Sequence, residues 1–305
     1  MLRLVIPILL LAFPARAQPR ATLRAVEYLV REVPRWSKEN GCFSCHNNGD
    51  AARALYVAER AGYRVPQSAL ADTTRWLLAP ADWDHDRTSP AFGDKKLARI
   101  QFASALAQAY DARIVGDRAA VIAAAESLLR YQEVDGSWQI DAGSAVGSPV
   151  TYGAALSTYM ARRTLEIAGL AEPAARARQW LLASKPHSIL DAAALLLAIP
   201  ARRDCLDLVL RAQSSDGGWG PHPMAASESF DTAVVLLALR QLNKPDAIAR
   251  GRAFLIASQQ PGGGWPETTR PPGGQSYAQH ISTSAWATLA LLLTDSQSGS
   301  VSPPL

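Results

Sequence analysis

Two thiols and an imidazole stand together at Cys42-Phe43-Ser44-Cys45-His46, which holds two of the chain's three cysteines. Cysteines three apart with histidine directly behind can bind a haem through two thioethers, His46 then serving as the proximal iron ligand. A second axial ligand would come from His222, Met224, His85, His187 or His280. The same thiols could instead form a Cys42–Cys45 disulfide. With one more histidine they could form a zinc site, although the usual second ligand pair is missing. A separate cluster, Asp82-Trp83-Asp84-His85-Asp86, places three carboxylates beside a histidine. It could supply an acid or a cation site, but charged clusters of this kind are more often solvated loops and helix caps.

Which of these chemistries applies depends on the compartment. Residues 1–17 run from a basic start through an apolar stretch, Leu4 to Phe13, to Ala15-Arg16-Ala17. This is the pattern of a cleaved secretory signal, so the chain is expected to be periplasmic or secreted, where cysteines oxidise or accept cofactors. No other apolar run approaches the roughly 18 residues that a membrane span needs. The formal net charge is +4, and loss of Arg3 and Arg16 with the leader lowers it to +2. That is too little to suggest nucleic acid, and no basic patch interleaved with aromatics occurs. At 48% hydrophobic and 19% charged, the remainder can fill a core.

Positioning falls to helices. The hydrophobic pattern predicts about twelve, near 19–36, 47–62, 67–78, 94–111, 117–131, 150–168, 173–184, 188–199, 201–212, 229–242, 246–259 and 279–293. No strand alternation stands out. One kind of helix is amphipathic with arginines on its wet face, as in "PAARARQWLLAS". The other is apolar nearly all round, as in "LDAAALLLAI" and "TAVVLLALRQL", and must be buried on every side. Alternation of the two predicts concentric layers: an all-α, α6/α6 toroid formed by a single domain over 18–294, with a disordered tail at 295–305.

Three loops repeat between the helices: "QEVDGSW" (132–138), "QSSDGGW" (213–219) and "QQPGGGW" (259–265). In each, Trp follows Gln by six residues with glycine between. The Gln is expected to bond backbone at its helix end. These loops, with "SFDTAVVLLAL" and "STSAWATLALL", resemble the repeats and inner helices of squalene-hopene cyclases and protein prenyltransferase β subunits. The likeness covers most of 115–293 and is weaker over 19–114. It implies an α/α toroid around a mostly apolar cavity, open to an isoprenoid or other apolar ligand. An open helical solenoid is the alternative, since repeats alone do not prove closure.

The cyclases' proton-donating Asp-x-Asp-Asp-Thr-Ala motif corresponds to "ESFDTA", 228–233. Glu228 and Asp231 keep the flanking carboxylates, and Phe230 stands where the donor should be. Inner aromatics that could face a cation are few: Phe102, Tyr152, Tyr159, Phe230 and Trp286. The prenyltransferase zinc set does not carry over. Cys205 reads as a packed thiol in an outer helix, and His280 lies near the family's zinc histidine without the partners.

All five histidines fall on outer-to-inner connections. In a closed ring they share one rim. Helices of about 12 to 18 residues are roughly 18–27 Å long, so the other rim would be out of reach. The leading expectation is an exported toroid carrying one covalent haem c, used for electron transfer with a periplasmic redox partner or for redox chemistry on an apolar ligand. The alternatives are a terpenoid cyclase-like enzyme, using Glu228, Asp231 or the 82–86 cluster as acid, and a non-catalytic lipid- or peptide-binding toroid.

Overall fold

The structure, a computed structural model, describes residues 19–84, 95–140 and 146–295. The predicted signal peptide, His85, Asp86 and residues 296–305 lie outside these. Twelve α-helices and no strand occur among the described residues. The outer helices are α1 (Arg20–Asn40), α3 (Gln67–Leu77), α5 (Arg118–Leu129), α7 (Ala171–Ala183), α9 (Arg203–Arg211) and α11 (Pro245–Ser258). The inner helices are α2 (Ala52–Arg60), α4 (Lys95–Asp111), α6 (Gly153–Ala168), α8 (Ile189–Ala198), α10 (Ser229–Leu239) and α12 (Tyr277–Leu293).

Burial sorts the two sets as their sequences dictate. Every residue of α10 is buried, and so is all of α8 except Asp191. In α9 only Cys205 and Val209 are buried, four residues apart on one stripe. Cys205 is fully buried and its thiol is pushed up to about 11, chiefly by burial. Each inner helix packs on the next, and α12 packs back onto α2. The ring is closed.

The three Gln–Gly–Trp loops fasten that ring by one repeated device. The buried indole Nε1 of Trp138, Trp219 and Trp265 donates to the preceding helix at Leu128 O, Val209 O and Leu255 O, at 3.1, 2.8 and 2.7 Å. The glutamines bind differently from the expectation. Rather than bonding their own helix end, Gln132, Gln213 and Gln259 donate across their loop and to the start of the next outer helix. Those acceptors are Pro173 O (2.9 Å), Ala247 O (3.0 Å) and Ala21 O (2.9 Å). Each amide oxygen in turn accepts from an arginine of that helix: Arg176, Arg250 or Arg24. The third clamp therefore ties the loop after α11 to α1, across more than two hundred residues.

The first inner helix begins irregularly. Gly41, in the left-handed region at φ 66°, ends α1. Residues Cys45–Ala51 form a π-helical stretch leading into α2, so the single helix expected from 47 starts earlier and wider. Ser44 caps it by accepting from His46 N at 3.2 Å. Asn47 donates to Glu32 O and Tyr277 Oη, and Asn48 to Val33 O and Thr73 Oγ1, which stitches the stretch to α1, α3 and α12.

Gly263 sits at φ 100°, and a Cβ there would meet Arg24 O, whereas a Cβ on Gly262 meets nothing within 4 Å. Gly263→Ala is expected to destabilise the fold by about 1–3 kcal/mol, with Gly262→Ala nearly neutral. Urea denaturation of the two variants measures the difference, and equal effects would contradict the clamp.

Candidate functional site

The π-helical turn aims one carboxylate into the ring. Asp50 is 1% exposed. Its Oδ1 accepts a short hydrogen bond from Tyr152 Oη, and its Oδ2 accepts from Gln101 Nε2 (2.8 Å) and Ser282 Oγ (2.7 Å). Two inner helices, α4 and α12, and the residue before α6 thus converge on one side chain. Tyr152 reaches it from a left-handed backbone, φ 62°, strained for a bulky residue, with Gly153 following at φ 75°. Burial first, and then Asp50, raise the Tyr152 phenol well above its usual range, so it remains a donor.

His46 completes this network. Its Nδ1 lies 2.8 Å from Ser282 Oγ. The serine hydrogen goes to Asp50, so Nδ1 carries the ring proton and Nε2 keeps the lone pair. Burial lowers the His46 pKa against the opposing pull of Asp50, which favours the neutral ring.

A second acid cluster lies beyond an aromatic wall. Trp286 meets Tyr152 edge-on at 5.6 Å and Phe230 edge-on at 5.9 Å. Next to Phe230, Asp231 is fully buried and receives Arg270 Nη2 at 2.7 and 2.9 Å. Arg270 Nη1 makes a short ion pair with Glu228, which also accepts from Thr269 N (3.1 Å) and Thr269 Oγ1 (2.6 Å). One guanidinium thus serves two buried carboxyls. Burial pushes Asp231 up to about 7, with Arg270 opposing and Glu228 adding to the rise. Asp231 therefore takes up a proton at a higher pH than an ordinary carboxyl.

The ring brings some of the expected residues together and not others. Cys42 and Cys45 form no disulfide and are partly exposed beside His46. Phe43 stacks on Trp76 at 4.7 Å, and Trp76 and Trp83 both contact Phe102. His187, His222 and Met224 stand exposed on outer-to-inner connections. His280 faces Tyr28 and Glu267, with Nδ1 at 3.8 Å from Glu267 Oε1, on the side of α12 that meets α1. Among the described residues no three His, Cys, Asp or Glu side chains form a metal-holding group. Asp82 is exposed in a short 3₁₀ turn.

Asp50, Gln101, Ser282 and Arg270 escaped the sequence reading. Asp50 had a signal: four polar residues, His46-Asn47-Asn48 and Asp50, run directly into an apolar helix. Gln101 and Ser282 are polar interruptions of inner helices. Arg270 lies in a Pro-Gly loop, and nothing in its neighbours marks it.

The fold is an α/α toroid, and the same architecture is found in solved structures of a terpene cyclase and a glycosidase. The type II terpene cyclase MstE from Scytonema superposes over 90% of this chain and 98% of its own, at 14% identity and a TM-score of 0.53. A variant of MstE with geranylgeranyl dihydroxybenzoate bound covers 89% and 97%, at 14% identity and a TM-score of 0.51. A glycosidase covers 90% and 98%, at 12% identity and a TM-score of 0.58. In sequence, drimenyl diphosphate synthase of Streptantibioticus cattleyicolor is 38% identical over 65 residues, 21% of this chain and 12% of that enzyme's length. No protein-family model matches.

The Asp231 proton has a consequence for stability. The folded carboxyl keeps it up to about pH 7, while the unfolded one loses it near 3.8. Between those values the folded state binds more protons, so this group makes the fold less stable as pH rises through the window. Denaturation of wild type and Asp231→Asn at pH 5, 6, 7 and 8 should show the wild type losing stability relative to the variant. Parallel curves would mean that Asp231 is ionised throughout.

Proposed function

We propose that this chain is a terpene cyclase-like toroid that takes an isoprenoid ligand and protonates it from the Glu228–Arg270–Asp231 cluster. The observation that carries this reading is a fully buried carboxyl, Asp231, that shares one guanidinium with Glu228, has its pKa raised to about 7, and follows Phe230, whose ring meets Trp286 edge-on. The local likeness to drimenyl diphosphate synthase and the shared fold with MstE support it. Phe230 cannot act where the cyclases' acid lies, but the next residue can. Asp231 would give its proton to a terminal double bond, and the neighbouring double bond would close on the cation. The last cation would lose a proton to end the sequence, so the product is an isomer of the substrate. Arg270 would hold the carboxylate left behind. Trp286, Phe230 and Tyr152 would offer ring faces to the positive charge.

Farnesyl, geranylgeranyl and squalene substrates, incubated with the protein and extracted for gas chromatography–mass spectrometry, test this. A cyclic isomer of one substrate is expected. Asp231→Asn should lower its rate by about 10²-fold or more. Full recovery of every substrate unchanged would end the reading.

A second reading is favoured by His46. With Nδ1 at 2.8 Å from Ser282 Oγ and the Cys42 and Cys45 thiols, not joined in a disulfide, four residues and one residue before it, the site would offer a haem two thioether sulfurs and an oriented axial nitrogen. When bound, the iron would supply one-electron chemistry at the rim, in an exported protein. Ser282 and Asp50 would hold the imidazole orientation, and the Phe43–Trp76 stack would wall the attachment loop. Expression with haem-maturation machinery should yield a covalently coloured band on a denaturing gel, lost in Cys42→Ala/Cys45→Ala. A colourless wild type rejects it.

A further inference from the structure

The half of the ring toward the C-terminal ends of the inner helices contains a void of about 30 Å³, bounded by Arg53, Ser104, Gln108, Tyr159, Arg163 and Thr164 among others. Arg53 is 5% exposed. One face of its guanidinium lies over the Trp286 ring at 4.2 Å. A π contact occupies that face and leaves the N–H groups at the edge to find acceptors. Nη1 finds only the weak acceptor Met160 Sδ at 3.2 Å, and Nε and Nη2 have no hydrogen-bond partner. Arg163, across the void, pairs outward with Glu166 at 3.4 Å, and its buried Nε is also unpartnered.

None of the residues lining the void is acidic. The buried carboxylate nearest in sequence, Asp50, has both oxygens committed to Tyr152, Gln101 and Ser282. A buried cation without a matched anion is strongly unfavourable. The inner helices turn their C-termini toward this half, an arrangement that opposes an anion, so the attraction must come from the two guanidiniums. The neutral lining adds donors as well: the Ser104 hydroxyl, 3.4 Å from Thr164 Oγ1, and the Gln108 amide.

We propose that this void is a binding site for a phosphate group. Arg53 Nε and Nη2 form a two-pronged edge suited to two oxygens of one oxyanion. Arg163 Nε and the Ser104 hydroxyl meet the rest. The site is separate from the Glu228–Arg270–Asp231 cluster and does not depend on the isoprenoid reading. A free inorganic oxyanion and the head of a prenyl diphosphate share this chemistry.

Isothermal titration calorimetry at constant ionic strength tests it with phosphate, pyrophosphate, farnesyl diphosphate and, as the uncharged control, farnesol. Saturable binding of at least one phosphate compound to the wild type is expected. In Arg53→Met the affinity should fall about tenfold or more, the loss of two charge-assisted hydrogen bonds. Farnesyl diphosphate binding tighter than pyrophosphate identifies a lipid head as the ligand, and the reverse order identifies a free oxyanion. Should Arg53→Met not fold, Ser104→Ala keeps both guanidiniums and should weaken binding severalfold. No saturable binding of any phosphate compound to the wild type, or an affinity unchanged in the variants, overturns the proposal.

Discussion

A ring of helices is held by what happens where one outer helix stops and the next begins. Helix ends leave carbonyls and amides unpaired, and in a two-layer barrel half of those ends are pressed against protein. Here a glutamine amide, a glycine turn and a buried indole satisfy them together. The indole reaches back to the finished helix, and the glutamine reaches forward to the next. Because the third copy reaches α1, the joint that spaces the helices also closes the circle. The inner helices can then be apolar all round and still leave no face wet.

Closure creates an interior in which polar side chains must answer to one another. Two clusters do so in different ways. Asp50 accepts from a phenol, an amide and a hydroxyl, so its lone pairs are spoken for and His46 is oriented through the serine. Asp231 is buried and shares a single guanidinium with Glu228, so its charge is only partly offset and its pKa is raised. Trp286 stands between them and also carries the Arg53 guanidinium on its face. Acid, aromatic edge and buried cation therefore occupy one short stretch of the barrel.

Much of this was legible in the chain and some was not. Helical periodicity placed the elements well, because burial alone separates an inner helix such as α10 from an outer one such as α9. The Gln–Gly–Trp spacing marked the joints, although it gave no hint that the glutamine bonds forward rather than back. Glu228 and Asp231 were visible as the flanks of a motif. Their shared arginine was not, since Arg270 arrives from a loop forty residues later. Asp50 was overlooked because Cys42, Cys45 and His46 lie beside it and suggest a chemistry of their own. Histidines gathered on one rim by topology need not converge: His280 turns to Tyr28 and Glu267, away from His46.

The clamp between Gln259 and Ala21 joins residues 238 positions apart in the chain. Contacts so remote require a large loop to be closed before they repay its entropy, which slows folding and exposes apolar helices meanwhile. The Asp50 network draws on residues from His46 to Ser282, so it cannot form on a partly made chain. The Asp50 network is therefore complete only when α12 lies between α10 and α2.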